Sequence, residues 1–254
     1  LITSPAIAAA FRAVPRHLFL PEVPVAQAYS DQAIPTKHEN GRAISSSSQP
    51  AIMAIMLEQL AVQPGQRVLE IGAGTGYNAA LLAQLVGPEG AVVALDIDED
   101  IVAGAQAHLR AADAAQVQVV QHDGAHGYPP LAPYDRIILT VGAWDIVPAW
   151  PAQLAPGGRL VLPLTILPGL MLSVALEADG EELRSVSARP CGFMPLRGEH
   201  AHPATWEWAE PSITITPRLA RPLPRIEFTL EKECSSVQLR WPSAPPAPLV
   251  LPES

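Results

Sequence analysis

The 254-residue chain has little cysteine, no long apolar run and no excess of positive charge. Its two cysteines, Cys191 and Cys234, are too few for a disulfide framework and form no zinc site on their own. No apolar stretch approaches the length that spans a membrane. The net charge of −9 and the absence of a basic stripe argue against nucleic acid as the main partner.

The beginning of the chain also lacks the features of a secretory signal. Residues 1–22 contain no cationic region followed by a cleavage site, so we expect a cytoplasmic protein. The first residue is leucine rather than methionine, and we therefore expect a preceding piece to be missing. The length suits one large domain or one domain with an appendage, and because 48% of the residues are hydrophobic the chain can form a sizeable core.

The first 60 residues combine helical patterns with a polar stretch. Residues 1–22 predict a short helix that prolines then break. Residues 23–48 are polar and irregular. Residues 49–60 carry apolar side chains at helical spacing, with Pro50 in the first turn and Ser48 as the candidate N-cap.

From residue 67 onwards, strand and helix patterns alternate. Strands are predicted over residues 67–73, 91–97, 117–123, 134–143 and 159–164. Helices are predicted over residues 77–86 and 99–112, and a broken helix over 147–158. A hairpin over residues 172–189 turns at Asp179 and Gly180. This alternation predicts an α/β fold with a doubly wound, mostly parallel, Rossmann-like sheet.

After residue 200 the composition shifts towards proline and short β-like runs. We therefore predict two parts: a main domain over residues 1–200, with an N-terminal lid of helix and loop, and a small β-rich extension over residues 201–254. The extension is either a packing appendage or an aid to substrate binding. Its three tryptophans are candidate anchors for a peptide or members of a core: Trp206, Trp208 and Trp241.

A glycine cluster lies between the first strand of the alternating part and its helix. Gly72, Ala73, Gly74 and Gly76 allow a sharp turn and the close approach of a ligand. Such a turn alone serves a dinucleotide, a nucleoside or mere packing. The spacing here is G-x-G-x-G, whereas a nicotinamide enzyme needs G-x-G-x-x-G.

Acidic residues at three successive strand ends narrow the choice of ligand. Glu70 suits a cationic amine and would repel a pyrophosphate. Asp96, followed by Ile97, is placed to hold the two hydroxyls of a ribose. Asp123, followed by Gly124, can take the exocyclic amine of adenine. Together they predict an adenosine with a cationic, amino-acid-like tail, which is S-adenosyl-L-methionine.

Other polar residues carry simpler interpretations. Asp98, Glu99 and Asp100 are expected to form a solvated helix start that favours the helix dipole. The histidines at positions 108, 122 and 126 are scattered, and we expect no metal site from them.

The chain resembles the protein-L-isoaspartate O-methyltransferase family over roughly residues 5–200. The matching pieces run in family order: VPRHLFLPE (14–22), AYSDQAIP (28–35), SQP (48–50), RVLEIGAGTGY (67–77), HDGAHGYP (122–129), APYDRIILTVGA (132–143), QLAPGGRLVLPL (153–164) and CGFMPLRG (191–198). The resemblance implies methyl transfer from S-adenosylmethionine to the carboxylate of an aspartate-type residue in a peptide. Ser48 matches the family's active-site serine and is the candidate that orients the acceptor.

The sequence departs from the family where the acceptor would enter. A longer, more polar stretch, IPTKHENGRAISSSS, replaces the usual glycine-rich one. The expected acceptor-binding residues are Thr36, Lys37, His38, Ser47, Phe193, Met194, Pro195 and Leu196.

These departures are similar to a subgroup that methylates an aspartate in ribosomally made, already constrained peptides such as lanthipeptides, lasso peptides or graspetides. The ester then closes to a succinimide (aspartimide), which can open to isoaspartate. That tailoring function is our main expectation. The alternatives are repair of L-isoaspartyl residues in damaged proteins and a silent cofactor-binding scaffold. We expect a monomer whose partner is a precursor peptide, with neither nucleic acid nor membrane involved.

Overall fold

The computed structural model describes residues 2–167, 169–179, 182–201, 225–228 and 237–240. The helices are α1 (Pro5–Ala13), α2 (Val25–Ala28), α3 (Pro50–Leu60), α4 (Tyr77–Val86), α5 (Glu99–Ala111) and α6 (Ala149–Ala152). Short 3-10 turns span Arg16–Phe19, Gly124–His126 and Pro129–Leu131. Within these described ranges, every helix is too short or too polar to cross a bilayer.

Eleven strands are described, and nine of them form one sheet. The strands are β1 (Ile34–Glu39), β2 (Arg42–Ser47), β3 (Arg67–Ile71), β4 (Ala91–Asp96), β5 (Gln118–Gln121), β6 (Tyr134–Leu139), β7 (Leu154–Leu167), β8 (Leu170–Asp179), β9 (Glu182–Cys191), β10 (Arg225–Phe228) and β11 (Val237–Arg240). The sheet order is β10-β11-β9-β8-β7-β6-β3-β4-β5. Strands β3 to β7 pair in parallel, and the remaining pairs are antiparallel. The predicted Rossmann-like α/β fold is confirmed.

Each central strand buries side chains on both faces of the sheet. In β3, Val68 faces one core and Leu69 the other, and in β4 the same holds for Val92 and Val93. Successive side chains of a strand point to opposite faces, so a strand covered on both sides is apolar throughout. Helices α1, α3, α4 and α5 cover one face, whereas short elements around the fully buried Trp150 cover the other.

The order of strands reverses between β3 and β6. β3 leads through α4 to β4 on one side, while β6 returns to pair with β3 on its other side. Ligands bind such sheets in the crevice at the carboxyl ends of the strands, at this reversal. The backbone N–H groups of Gly72 and Ala73 both donate to the carbonyl of Leu95 at 2.8 Å, which holds the turn after β3 against the end of β4.

The stretch at residues 23–48 is more regular than expected, and that expectation is wrong. It contains α2 and an antiparallel hairpin of β1 and β2. The turn of the hairpin is formed by Asn40 and Gly41, both with positive φ (50° and 76°). Two residues with positive φ suit a two-residue hairpin turn, and Asn-Gly is its strongest sequence signal. That signal was present in the sequence and was missed.

Helix α3 is confirmed, but its predicted N-cap is wrong. The N-cap is Gln49 rather than Ser48, and the Gln49 side chain makes no capping hydrogen bond. The carboxylate of Asp31 instead accepts the backbone N–H of Ala51 at 2.9 Å. A first-turn donor is therefore satisfied from a distant loop.

The carboxyl-terminal half of the main domain is more extended than predicted. β7 begins at Leu154, inside the stretch expected to be a broken helix, because Tyr134 at the start of β6 pairs with it. The hairpin of β8 and β9 is confirmed, although Gly180 at its expected turn lies outside the described residues.

The predicted extension is described only in part. β11 pairs antiparallel with β9, so the main sheet continues past residue 200. The division into two parts at that residue stays a prediction. The tryptophans at positions 206, 208 and 241, and Cys234, lie outside the described residues.

Candidate active site

A cavity of about 660 Å³ opens at the carboxyl ends of β3, β4 and β6. Its walls include the turn after β3, the ends of β4 and β6, the turn after β5, the end of the hairpin strand β2 with the start of α3, and residues 190–197, which we call the 190–197 segment. A volume of this size lies within the range of cofactor sites. The cavity therefore coincides with the crevice that the strand order predicts.

The glycine turn brings backbone close to this cavity. Gly72 has a φ of 101°, and a Cβ there would lie 2.8 Å from Oγ1 of Thr140. That hydroxyl donates a hydrogen bond of 2.6 Å to the carbonyl of Gly72. Gly74 and Ala73 also line the cavity. Gly76 does not; with a φ of 86° it caps α4 and packs against Ala105 of α5.

Glu70 is completely buried and lines the cavity floor. Its Oε1 accepts a hydrogen bond of 2.8 Å from Asn78, whereas its Oε2 has no partner in the described part of the chain. Burial raises the pKa of this carboxyl to about 8; the Asn78 hydrogen bond opposes the rise and the charge of Asp96 adds to it. A buried acid with a free oxygen is complementary to a cationic amine, which would restore its charge.

Asp96 lies at the end of β4 and lines the cavity together with Ile97. Its Oδ2 accepts the backbone N–H of Gly74 at 3.0 Å, and its Oδ1 that of Asp98 at 3.4 Å. Burial raises the pKa of Asp96, although these two hydrogen bonds act to lower it. The carboxylate is thus fixed beside the glycine turn, where it can accept hydrogen bonds from ribose hydroxyls.

The third acidic residue is not brought into the cavity. The carboxylate of Asp123 accepts the backbone N–H of Ala125 at 2.9 Å and that of Glu199 at 2.8 Å, and it is absent from the cavity wall. Its neighbours His122 and Gly124 do line the wall. Asp123 therefore caps the 3-10 turn that follows β5, and its contact with adenine stays a prediction.

The residues present fit an adenosine carrying a cationic tail. The glycine turn leaves room for a close ligand, Asp96 offers acceptors for hydroxyls, and the unpartnered oxygen of Glu70 offers an acceptor for an amine. We therefore expect Glu70, Asp96 and the backbone of residues 72–74 to hold S-adenosylmethionine. When bound, this cofactor supplies an electrophilic methyl group.

The end of β2 and the residue after it form a wall of four serines, residues 45–48, which we call the serine run. All four serines line the cavity, including the predicted Ser47 and Ser48. Arg16, fully buried, donates from Nη2 to the carbonyl of Ser48 at 2.9 Å and to the hydroxyl of Ser47 at 3.3 Å. Sequence reasoning missed Arg16 because a single arginine between Pro15 and His17 gives no local signal of its partners.

The 190–197 segment is held to the sheet by backbone hydrogen bonds. Gly142 donates to the carbonyl of Met194 and accepts from the N–H of Leu196, both at 2.7 Å. All four predicted residues of this segment, Phe193 to Leu196, line the cavity. A Cβ on Gly142 would lie 2.6 Å from the terminal methyl carbon of Met171, so a side chain there would displace the end of that methionine.

The predicted residues of β1 are placed differently. Thr36, Lys37 and His38 lie on the hairpin but do not line the cavity. The ammonium of Lys37 lies 2.8 Å from Oδ2 of Asp98 and 2.6 Å from Oδ1 of Asp100. The hydrogen bonds that Lys37 donates to Asp100 and Asp98 raise its pKa, so the group stays charged and already has partners.

Asp98 was expected to belong to a solvated helix start. That expectation is wrong, because its carboxylate forms ion pairs. Its carboxylate also accepts two hydrogen bonds from Arg197, at 3.2 and 2.8 Å. The hydrogen bonds from Arg197 contribute most to lowering the pKa of Asp98, and the hydrogen bond from Lys37 adds to them. Together they hold this pKa below its usual value. The side chain makes no capping hydrogen bond to α5.

The sheet, glycine turn and acidic strand ends define a Rossmann-like methyltransferase that depends on S-adenosylmethionine. Residues 1–201 match the family described as Protein-L-isoaspartate(D-aspartate) O-methyltransferase (PCMT). The chain belongs to this family, as its sequence resemblance implies.

Curated relatives agree with this assignment. The protein-L-isoaspartate O-methyltransferase of Methanopyrus kandleri is 39% identical over 199 residues, which cover 78% of this chain and 86% of the relative. Protein-L-isoaspartate O-methyltransferase 1 of Rhodopseudomonas palustris is 39% identical over 222 residues, covering 87% and 84% of the two chains.

Solved structures show the same fold. A protein-L-isoaspartate O-methyltransferase structure matches with a TM-score of 0.72 and 32% identity; the match covers 78% of this chain and 62%, less than two thirds, of that chain. A Plasmodium falciparum structure in complex with S-adenosyl-L-homocysteine has a TM-score of 0.66, with 77% and 92% of the chains covered. At 17% identity it supports the fold alone.

Proposed function

We propose that this chain methylates the free carboxylate of L-isoaspartyl residues in peptides and proteins, in line with its relatives, which are named protein-L-isoaspartate O-methyltransferases. The observation that carries the proposal is the pairing of two walls in one cavity. One wall has the acidic and glycine features suited to the cofactor, and the end of β2 with the residue after it contributes four serines to the cavity lining. A wall of neutral donors suits an anionic acceptor.

The acceptor needs no strong base. A carboxylate is ionised at neutral pH, because its ordinary pKa is about 4. Its oxygen is therefore already a nucleophile, and the protein has to orient it and exclude water. Hydroxyls of the serine run can donate to one carboxylate oxygen and leave the other free. We assign this orienting role to Ser48.

A competing nucleophile in the cavity is kept inactive. Cys191 lines the wall, and burial raises the pKa of its thiol to about 12. The thiolate is the reactive form of cysteine, and almost none is present at neutral pH under these conditions. We therefore expect the neutral thiol not to compete with the acceptor for the methyl group.

A second candidate is the tailoring of a ribosomally made, constrained peptide at an ordinary aspartate, with succinimide formation afterwards. The hairpin of β1 and β2 supports it, because this polar element lies beside the serine run, where the family resemblance leads us to expect a glycine-rich stretch. The names of the relatives mention no such peptide, so we place it second. Cytoplasmic location and a monomeric state stay predictions.

Mass spectrometry of parallel reactions with S-adenosylmethionine tests the order of the candidates. The substrates are a linear isoaspartyl peptide, its aspartyl twin, and a macrocyclic peptide carrying the same aspartyl site. We expect methylation of the isoaspartyl peptide alone. Methyl gain and methanol loss only on the macrocycle would reverse the order. Cofactor binding without turnover on any of the three would favour the scaffold alternative.

A further inference from the structure

We propose that Asp98 is a positioning residue that holds the two acceptor-side walls of the cavity, the serine run and the 190–197 segment, against the cofactor side. This inference rests on the proposed function, because it assigns those walls to the acceptor. It goes beyond the family assignment by naming an ion-pair cluster outside the cofactor contacts: Lys37, Asp98 and Arg197.

The cluster joins three elements that are far apart in the sequence. Lys37 belongs to β1, Asp98 follows β4, and Arg197 ends the 190–197 segment. Arg197 binds both carboxylate oxygens of Asp98, and Lys37 also binds one of them, Oδ2. One carboxylate thus connects the hairpin to the segment.

Each cation is directly linked to a wall of the cavity. Lys37 is the register partner of Ser45 across the hairpin, and Ser45 lies in the serine run. Arg197 itself lines the cavity and directly follows Leu196, whose N–H is bonded to Gly142. Movement of either cation would therefore move residues that face the acceptor.

Asp98 is also linked to the cofactor side. Its backbone N–H donates to Oδ1 of Asp96 at 3.4 Å, and the other oxygen of Asp96 accepts the N–H of Gly74. The Asp98 side chain is 19% exposed, compared with 68% for Asp100. A partly buried pair with two-point geometry contributes more than an exposed pair. We therefore assign the positioning role to Asp98 and not to Asp100.

The test uses the full chain and four substitutions: Asp98→Asn, Lys37→Gln, Arg197→Gln and, as matched control, Asp100→Asn. Hydrogen exchange of the ligand-free protein is measured by mass spectrometry over residues 34–47 and 190–197. We expect Asp98→Asn to raise exchange in both regions, Lys37→Gln in the first and Arg197→Gln in the second. Asp100→Asn should leave residues 190–197 unchanged. If Asp98→Asn raised exchange in only one of these two regions, Asp98 would not hold both walls and the proposal would be overturned.

Binding and kinetics complete the test. We expect Asp98→Asn to raise the KM for the isoaspartyl peptide about tenfold and to weaken S-adenosyl-L-homocysteine binding by a smaller factor, while kcat at saturation changes about twofold or less. Arg197→Lys keeps the positive charge, so its KM for the isoaspartyl peptide should rise less than that of Arg197→Gln. A loss of kcat with unchanged KM would overturn the positioning role.

The two proposals fail separately. Exchange and S-adenosyl-L-homocysteine binding need no acceptor, so they report on Asp98 even if the isoaspartyl peptide is not a substrate. The double variant Asp98→Asn with Arg197→Gln should be no worse than Asp98→Asn alone, because both remove the same contact. Additive losses would show that the two residues act independently and would overturn the cluster.

Discussion

The guanidinium of Arg16 donates a 2.9 Å hydrogen bond to the carbonyl of Ser48, which ties the N-terminal segment to the serine run. Its Nε and Nη1 have no partners within the described part of the chain. Burial of this charge carries a desolvation cost, which the carbonyl contacts and the Tyr77 ring, 5.6 Å from the guanidinium carbon, offset only in part. Burial correspondingly lowers the pKa of Arg16.

Replacing Arg16 with methionine should damage activity more than stability. The change removes the donor to Ser48 but also removes the buried charge, and the two effects on folding oppose each other. We expect kcat/KM to fall about tenfold or more, since a bond to a charged group contributes about 1.5–3 kcal/mol. Steady-state kinetics and thermal unfolding check this. A large drop in melting temperature with unchanged kinetics would contradict it.

Ser48→Ala should lower kcat/KM for the isoaspartyl peptide by roughly tenfold, because one donor to an ionised acceptor is lost. Affinity for S-adenosyl-L-homocysteine, measured by calorimetry, should stay unchanged, since the serine run lies on the acceptor side. Ser45→Ala is the matched variant in the same wall. If Ser45→Ala has the larger effect, the orienting role moves to Ser45.

Binding of the cofactor product should release a proton through Glu70. In the ligand-free protein this carboxyl has a pKa of about 8 and is mostly protonated at pH 7. The amine of S-adenosyl-L-homocysteine favours the charged form, so binding removes the proton. Calorimetry at pH 7 in two buffers of different ionisation enthalpy measures it. Glu70→Gln should abolish the release, and an unchanged release would move its source to another group.

The same carboxyl makes stability depend on pH. Its pKa is raised on folding from 4.5 to about 8, so the folded state binds the proton more tightly than the unfolded state. Stability is therefore lost as the pH rises from about 4.5 to about 8, and the loss is complete above that window. Glu70→Gln should flatten this part of the profile in chemical denaturation, and an equally steep profile in the variant would count against it.

The parallel core and the cofactor side were predictable because their signals are local. Strand β3, the glycine turn and Glu70 are consecutive in the chain, and the carboxyl ends of parallel strands meet at one edge. Asp96 follows from the same rule. Asp123 shows its limit: the strand end is near the cavity, but two backbone N–H groups hold the carboxylate elsewhere.

The acceptor side was less predictable because it depends on long-range contacts. Lys37 and Asp98 are 61 residues apart, and Asp98 and Arg197 are 99 apart. No periodicity or local motif indicates which charges pair over such separations. The hairpin itself was available from Asn40 and Gly41, but the expected hydrophobic alternation was missing, since only Ile34 and Ser47 of its strands are buried.

Two glycines, one in α5 and one packed against it, should respond oppositely to alanine. Gly104 lies within α5, and a Cβ there meets nothing within 4 Å. Gly104→Ala should stabilise the protein by about 0.5–1 kcal/mol, because glycine is a poor helix former. Gly76 has a φ of 86°, and a Cβ there would lie 3.3 Å from the carbonyl oxygen of Ala105.

Gly76→Ala should therefore destabilise the protein by about 1–2 kcal/mol, because positive φ is costly for any residue with a Cβ. It should also weaken S-adenosyl-L-homocysteine binding, since Gly76 caps α4 directly after the turn that faces the cavity. Differential scanning calorimetry of the two variants, with the exposed substitution Glu89→Gln as a control, measures both signs. Equal shifts for Gly104→Ala and Gly76→Ala would mean that backbone conformation does not govern this turn.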